Sequence, residues 1–198
     1  MTNAILLSTV LGISSFLGVN DADWQLRLQR EVLVNKEPAL LYRFERSDQQ
    51  NAGLFGEHLS VVTTNDGVLK GFVKYTQDHR SQPLPTKEVA ADVSEAFLKQ
   101  AAPDLLDNRK VLWIEPHDEV IQLQTHGDQS KQNFTITGMK VKSLNTKTGL
   151  YFWTIVDANN EVFIFERDIK WITFPGKRGT EKWLHDSYLA EIWGGLDE

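Results

Sequence analysis

Two short apolar runs set the strongest condition on this chain. Tyr151-Phe152-Trp153 and Phe163-Ile164-Phe165 flank the turn Asp157-Ala158-Asn159-Asn160. An antiparallel hairpin with one wet face alternates apolar and polar residues. These runs are apolar at successive positions, so both faces of the hairpin need a cover. One cover is internal. Trp183, Leu184, Tyr188 and Ile192 form a helical stripe between Thr180, a capping residue, and the Gly194-Gly195 stop. The other is a partner chain, for which aromatic sheet surfaces are well suited. The internal helix is preferred because it docks without loss of translational freedom.

The rest of the chain alternates helix and strand patterns. Leu6, Val10, Ile13 and Leu17 fall at helical spacing. Strands follow at Trp24–Arg30, Ala39–Arg46, Leu59–Thr63 and Val68–Tyr75, the last two joined by the hairpin turn Asn65-Asp66-Gly67. On the second strand Leu40, Tyr42 and Phe44 share one face, and the face bearing Leu41, Arg43 and Glu45 is expected to be exposed. Residues 77–85 are polar and hold two Pro, as a linker would. Thr86 caps a second helix with Val89, Val93, Ala96, Phe97 and Ala101 on its buried face, stopped by Pro103. Strands are then expected at Val111–Ile114, Val120–Gln124 and Phe134–Leu144, with a turn at Pro116-His117-Asp118. The hairpin at 151–167 follows, with Ile169–Phe174 as an extension. The order helix, strand, strand, loop, hairpin thus occurs twice. It predicts an α+β fold of two tandem helix-plus-four-strand antiparallel units with a C-terminal helix. The units would be 1–76 and 86–174, with 77–85 as linker and 175–198 as C-terminal helix and tail.

Composition removes whole chemistries. The chain has 198 residues, 41% hydrophobic, enough for a packed core, and no Cys. Thiol nucleophiles, iron–sulfur clusters and thiolate zinc sites are excluded. A formal net charge of -6 argues against a general nucleic-acid binder. His117-Asp118-Glu119 and His126-Gly127-Asp128 bring imidazole and carboxylate together, but in stretches read as solvated turns. His185-Asp186 suggests an acid–base pair, yet neighbours on a helix do not face each other. Glu45 with Asp48, and Glu166 with Asp168, are pairs whose separation sequence does not give. Gly176-Lys177-Arg178-Gly179-Thr180 lacks phosphate-loop spacing and reads as a basic turn into a helix cap. No zinc-protease motif or nucleophile elbow is present. The expectation is a non-enzyme with no catalytic residue, no cofactor and no metal.

The second half carries a family resemblance. Leu84-Pro85-Thr86-Lys87-Glu88-Val89-Ala90, Ala96-Phe97-Leu98 and Tyr151-Phe152-Trp153-Thr154-Ile155-Val156-Asp157-Ala158-Asn159-Asn160-Glu161-Val162 resemble the PepSY domain family. Asn160 stands where that family favours Gly. In the first half Val61-Val62-Thr63-Thr64-Asn65-Asp66-Gly67-Val68 is similar to the family's hairpin. The tandem arrangement also resembles the β-lactamase-inhibitor-protein fold. The resemblance implies a non-catalytic module that binds or restrains another protein, often a peptidase. The expected function is therefore a binding or regulatory protein that uses a sheet surface, with Tyr42, Phe44, Trp153, Phe163 and Phe165 as contact residues for a protein partner or a second copy. The alternative is a small-molecule-binding protein or hydrolase with a pocket between helix and sheet. The apolar stretch at residues 1–19 is too short to span a bilayer and lacks a basic leader and a small-residue cleavage site. A cytoplasmic location without membrane insertion is expected, or a secreted or cell-surface one if that stretch is a leader.

Overall fold

The computed structural model describes residues 22–80, 83–124, 130–174 and 176–194. The expected helix at Leu6, Val10, Ile13 and Leu17 lies outside them, as do His126 and Asp128. Strand β1 (Trp24–Val34) turns into β2 (Glu37–Arg46) through Asn35 and Lys36, both at positive φ (51° and 73°). Such two-residue turns match the right-handed twist of the strands. β3 (His58–Thr64) and β4 (Leu69–Tyr75) follow, with Gly67 at φ 91° in their turn. Helix α1 (Lys87–Ala101) leads to β5 (Arg109–Gln124), β6 (Lys131–Asn145), β7 (Tyr151–Val156) and β8 (Val162–Ile169). Asn160 turns β7 into β8 at φ 62°, a backbone region that Asn tolerates better than most residues. The short strands β9 (Trp171–Ile172) and β10 (Lys177–Arg178) pair with each other, and α2 (Asp186–Trp193) ends the described chain.

The two tandem units expected from the sequence do not form. All eight long strands make one antiparallel sheet, in the order β1-β2-β3-β4-β8-β7-β6-β5. The halves join where Gly71, Phe72 and Val73 of β4 pair with Glu166, Phe165 and Ile164 of β8. Two separate units would each leave an apolar strand edge unpaired, a known aggregation hazard. Pairing β4 with β8 removes both edges and puts the doubly apolar hairpin at the middle of the sheet. The stretch 77–85 also begins as packed structure: a 3-10 turn at Gln77–Arg80 buries His79, whose ring stacks on Phe163 at 4.8 Å.

Helix α1 covers the β5–β8 part of one face. Thr86 Oγ1 accepts a hydrogen bond from the Val89 N–H and caps it. Its buried residues are Ala90, Ser94, Phe97 and Leu98; Phe97 and Leu98 pack with Phe72, Phe152 and Phe165, and Ala90 with Met139, Val141 and Val156. The stripe expected from the sequence is therefore rotated, since Val89 and Ala96 are exposed. Ser94 takes an inner position because its hydroxyl bonds to Thr154 (2.8 Å) and receives Arg109 (3.3 Å).

The C-terminal segment covers the other face. Leu184 and Leu189 join Leu41, Val62, Val73, Trp153, Ile155 and Ile164 in one buried cluster. The helix is shorter than Thr180–Trp193. His185 takes the cap position without a side-chain cap bond, and Gly194 ends the helix at φ 66°. Thr180 instead ties the segment down, donating to Asn35 Oδ1 (2.8 Å) and accepting from the Lys170 N–H (2.8 Å). The Trp183 indole N–H donates to the Leu33 carbonyl at 2.7 Å.

β5 contains no turn at Pro116-His117-Asp118; it runs straight through. β5 is an edge strand, and an edge can hold a proline on its open side. The Gln122 and Gln124 N–H groups point outward, to Phe55 O and Asn51 Oδ1 (both 2.7 Å). Pro116 has the same parity with no intervening register shift, so it breaks no ladder bond. The same two bonds show the far end of β5 curling back to the loop between β2 and β3. Among the described residues no helix is long and apolar enough to cross a membrane.

Candidate functional site

Strand register builds the covered face row by row. Leu41, Val62, Gly71, Glu166, Trp153, Lys142 and Trp113 are successive cross-strand partners from β2 to β5. The row is apolar at one end, acidic at the centre and aromatic–basic at the other. The C-terminal segment meets each part. Leu184 packs where Gly71 has no side chain. Arg178 donates to Glu166 Oε2 at 2.5 Å, and His185 Nε2 lies 3.2 Å from Oε1. Burial opposes ionisation of Glu166, but His185 and Arg178 outweigh it and hold the carboxyl well below the ordinary carboxylate range.

A second charged cluster lies on the same face. Arg43 is fully buried. Its guanidinium donates to Glu45 Oε1 (2.9 Å), to Asp186 Oδ1 (2.6 Å) and Oδ2 (3.2 Å), and to the Gly53 carbonyl (2.9 Å). The face of β2 bearing Arg43 and Glu45, expected to be exposed, is thus sealed by α2. Burial raises the Asp186 pKa, and His58 and Arg43 lower it further than burial raises it. Asp186 is therefore a structural counter-ion, and its pairing with His185 as an acid–base couple is absent.

Beside this cluster lies a cleft of about 460 Å³ between the start of α2 and the curled end of β5–β6. His58, Tyr75, Glu119, Ile121, Asp186 and Ser187 are among its lining residues. The cleft lies beside α2, between it and the strands.

The expected contact residues lie inward. Trp153 is 7% exposed, Tyr42 1%, and Phe163 and Phe165 are fully buried, while Phe44 is half-buried. They fill the core on both faces. The accessible aromatics are others. Trp113 and Trp171 are 36% and 46% exposed, beside exposed Ile172 and Phe174. The Lys142 ammonium lies 5.4, 5.0 and 5.4 Å from the ring centroids of Trp113, Tyr151 and Trp171, within cation–π range.

Other sequence candidates disperse. His117 contacts Glu119 at 3.1 Å along β5, and Asp118 accepts from Thr137 of β6 at 2.7 Å. Asp48 pairs with Arg46 at the surface, away from buried Glu45. Asp168 pairs with Lys70 and Arg167, and Glu166 with Arg178. Lys177 and Arg178 form β10. Among the described residues no group of three or more His, Asp or Glu is placed to hold a metal ion. Sequence reasoning missed Arg43, His58, Tyr75 and Lys142. Arg43 was visible only as one charge in an alternating strand, and Lys142 only as an unremarked polar position of the expected strand Phe134–Leu144.

Scans against family models, curated proteins and solved structures return no match to this chain.

Proposed function

We propose that this chain is a non-enzymatic binding protein that meets an acidic partner protein on the open aromatic–lysine face of β5, β6, β7 and β9. The observation that carries this reading is the group of Trp113, Tyr151 and Trp171 around Lys142, left uncovered on a sheet face that is otherwise closed. Exposed Trp and Tyr beside a cation are the residue types that dominate binding energy at interfaces. The patch is basic on a chain of net charge -6. Lys110 stands one row from Trp113, and Lys177 pairs with Ile172; both are exposed. An acidic segment with apolar side chains complements such a surface.

The face, rather than the strand edge, is the contact. Pro116 and the irregularity between Val111 and Trp113 interrupt the outer edge of β5, and the loop at Asn51–Phe55 occupies its far end. An added strand would find no continuous ladder there. The non-catalytic reading is supported by how the buried acids are used: Asp186 neutralises Arg43, and Glu166 neutralises Arg178. The PepSY-like residues at 84–98 and 151–162 favour the same class of function.

The test compares the wild-type chain with Trp113→Ser/Trp171→Ser and Lys142→Glu variants. These positions are exposed or half-exposed, so circular dichroism and thermal unfolding should be unchanged. Parallel affinity capture from cell extract should retain a protein on wild type and lose it on both variants, in a salt-sensitive manner. Equal retention on all three proteins sinks the reading. A single-stranded oligonucleotide should show no saturable binding at physiological salt, and saturable stacking on Trp113 and Trp171 would reassign the face to nucleic acid.

A further inference from the structure

On the side of the sheet that bears α1, two side chains of β2 are buried without a matching cover. Leu40 is 6% exposed and Tyr42 1%. Their cross-strand partners on β1, Glu31 and Gln29, are exposed, and Leu26, opposite Phe44, is 45% exposed. The sheet edge therefore does not fold over them. On the other side, the end of α1 packs with Leu59, Val61 and Phe72 of β3 and β4. Leu40 and Tyr42 stand apart from that cluster. Among the described residues their one apolar neighbour is Phe44, on the same strand. Large side chains on a sheet face lose their exposure only when a second layer lies on them.

The chain holds a segment of the right kind and reach, outside the described residues. Leu6, Val10, Ile13 and Leu17 share one side of a helix at 3.6 residues per turn, and Ser8 and Ser15 fall half a turn away. A helix from Leu6 to Leu17 is about 18 Å long, against about 13 Å for the strip from Leu40 to Phe44. The chain enters β1 at Trp24, which borders the same cluster as Phe44. The link 18–23 reaches about 20 Å when extended, and two strand spacings need only about 10 Å. We infer that residues 4–17 dock as an amphipathic helix on Leu40, Tyr42 and Phe44, beside α1, and complete the closure of this face. A segment tethered at Trp24 takes this place without the loss of translational freedom that a second copy or a partner protein suffers. It is then a retained part of the folded domain, since its removal would bare the strip. The aromatic–lysine face has no part in this contact.

The test uses the full chain, which has no Cys, so Ser15→Cys gives a single attachment point for a nitroxide on the outer side of the helix. The side-chain NMR resonances of Leu40, Tyr42 and Phe44 should broaden, while that of Leu189, in the cluster on the opposite face, stays sharp. Broadening that spares the strip, or that strikes both faces alike, overturns the inference. In a mixture of nitroxide-bearing chains at natural isotope abundance with isotope-enriched chains free of nitroxide, the enriched resonances should stay sharp. Broadening there would give the strip to a second copy instead. A Val10→Asp/Ile13→Asp variant provides an independent readout. With fluorotyrosine incorporated, the Tyr42 resonance should be shielded from a soluble paramagnetic probe in the wild type and reached by it in the variant. A Tyr42 ring still shielded in a folded variant would mean that something else covers it. The nitroxide measurement decides the matter if that variant fails to fold.

Discussion

Arg43 concentrates the energetics of this fold in one side chain. A guanidinium without solvent is tolerable only if its donors are met by acceptors, and four of its contacts come from Glu45, Asp186 and Gly53. Removing one partner leaves uncompensated charge in the interior. Asp186→Ala should therefore destabilise the protein by about 3–5 kcal/mol in urea unfolding. Asp48→Ala, which breaks an exposed pair with Arg46, should leave the midpoint unchanged. His58 adds a pH dependence. Its ordinary pKa of 6.5 falls to about 4 in the folded state, held down by burial and Arg43 and partly restored by Asp186 and Glu45. Between those values the unfolded chain takes up a proton that the folded chain refuses. Stability should thus fall as pH drops from 6.5 to 4, and His58→Gln should flatten that slope. Matching slopes in both proteins would remove His58 as the cause. None of this was legible in the sequence. Arg43 and Glu45 alternate with Tyr42 and Phe44 as solvent-facing residues do, and only the distant α2 explains their burial.

At the scale of elements, local chemistry was largely readable and faces were not. The turns at Asn65-Asp66-Gly67 and Asn159-Asn160, the Thr86 cap and the Gly194 stop all stand where their backbone preferences put them. The face of α1 was misread because Ser94 counts as polar until its hydroxyl partners are known. β5 was split at Pro116 because a proline reads as a break until the strand is placed at a sheet edge. Gly71 shows what the C-terminal segment needs from the sheet. A Cβ there would sit 2.6 Å from the Phe165 carbonyl and 2.8 Å from Leu184 Cδ1. Gly71→Ala should cost about 1–3 kcal/mol through overpacking. Combined with Leu184→Ala the losses should be less than additive, because one change removes part of the other's clash. Strict additivity in urea melts would mean that Leu184 does not rest on Gly71.

For the whole molecule, the condition read from Tyr151-Phe152-Trp153 and Phe163-Ile164-Phe165 is met from within. Helix α1 closes one face of that hairpin and the segment from Thr180 to Trp193 closes most of the other. The first four strands were readable in order, and the second half was read with β5 as two strands. The union of the halves through β4 and β8 was not readable, because strand pairing over so long a separation leaves no local mark on either strand. That union makes Trp153 a core residue and leaves Trp113 and Trp171 as the open aromatics. The same division can be read one tryptophan at a time. With 5-fluorotryptophan at the 6 Trp positions, fluorine NMR in the presence of a soluble paramagnetic probe reports the access of each ring. The resonances of Trp113 and Trp171 should broaden strongly while that of Trp153 stays sharp. Broadening of Trp153 to the same extent would mean that the face is open and that the C-terminal segment does not close it.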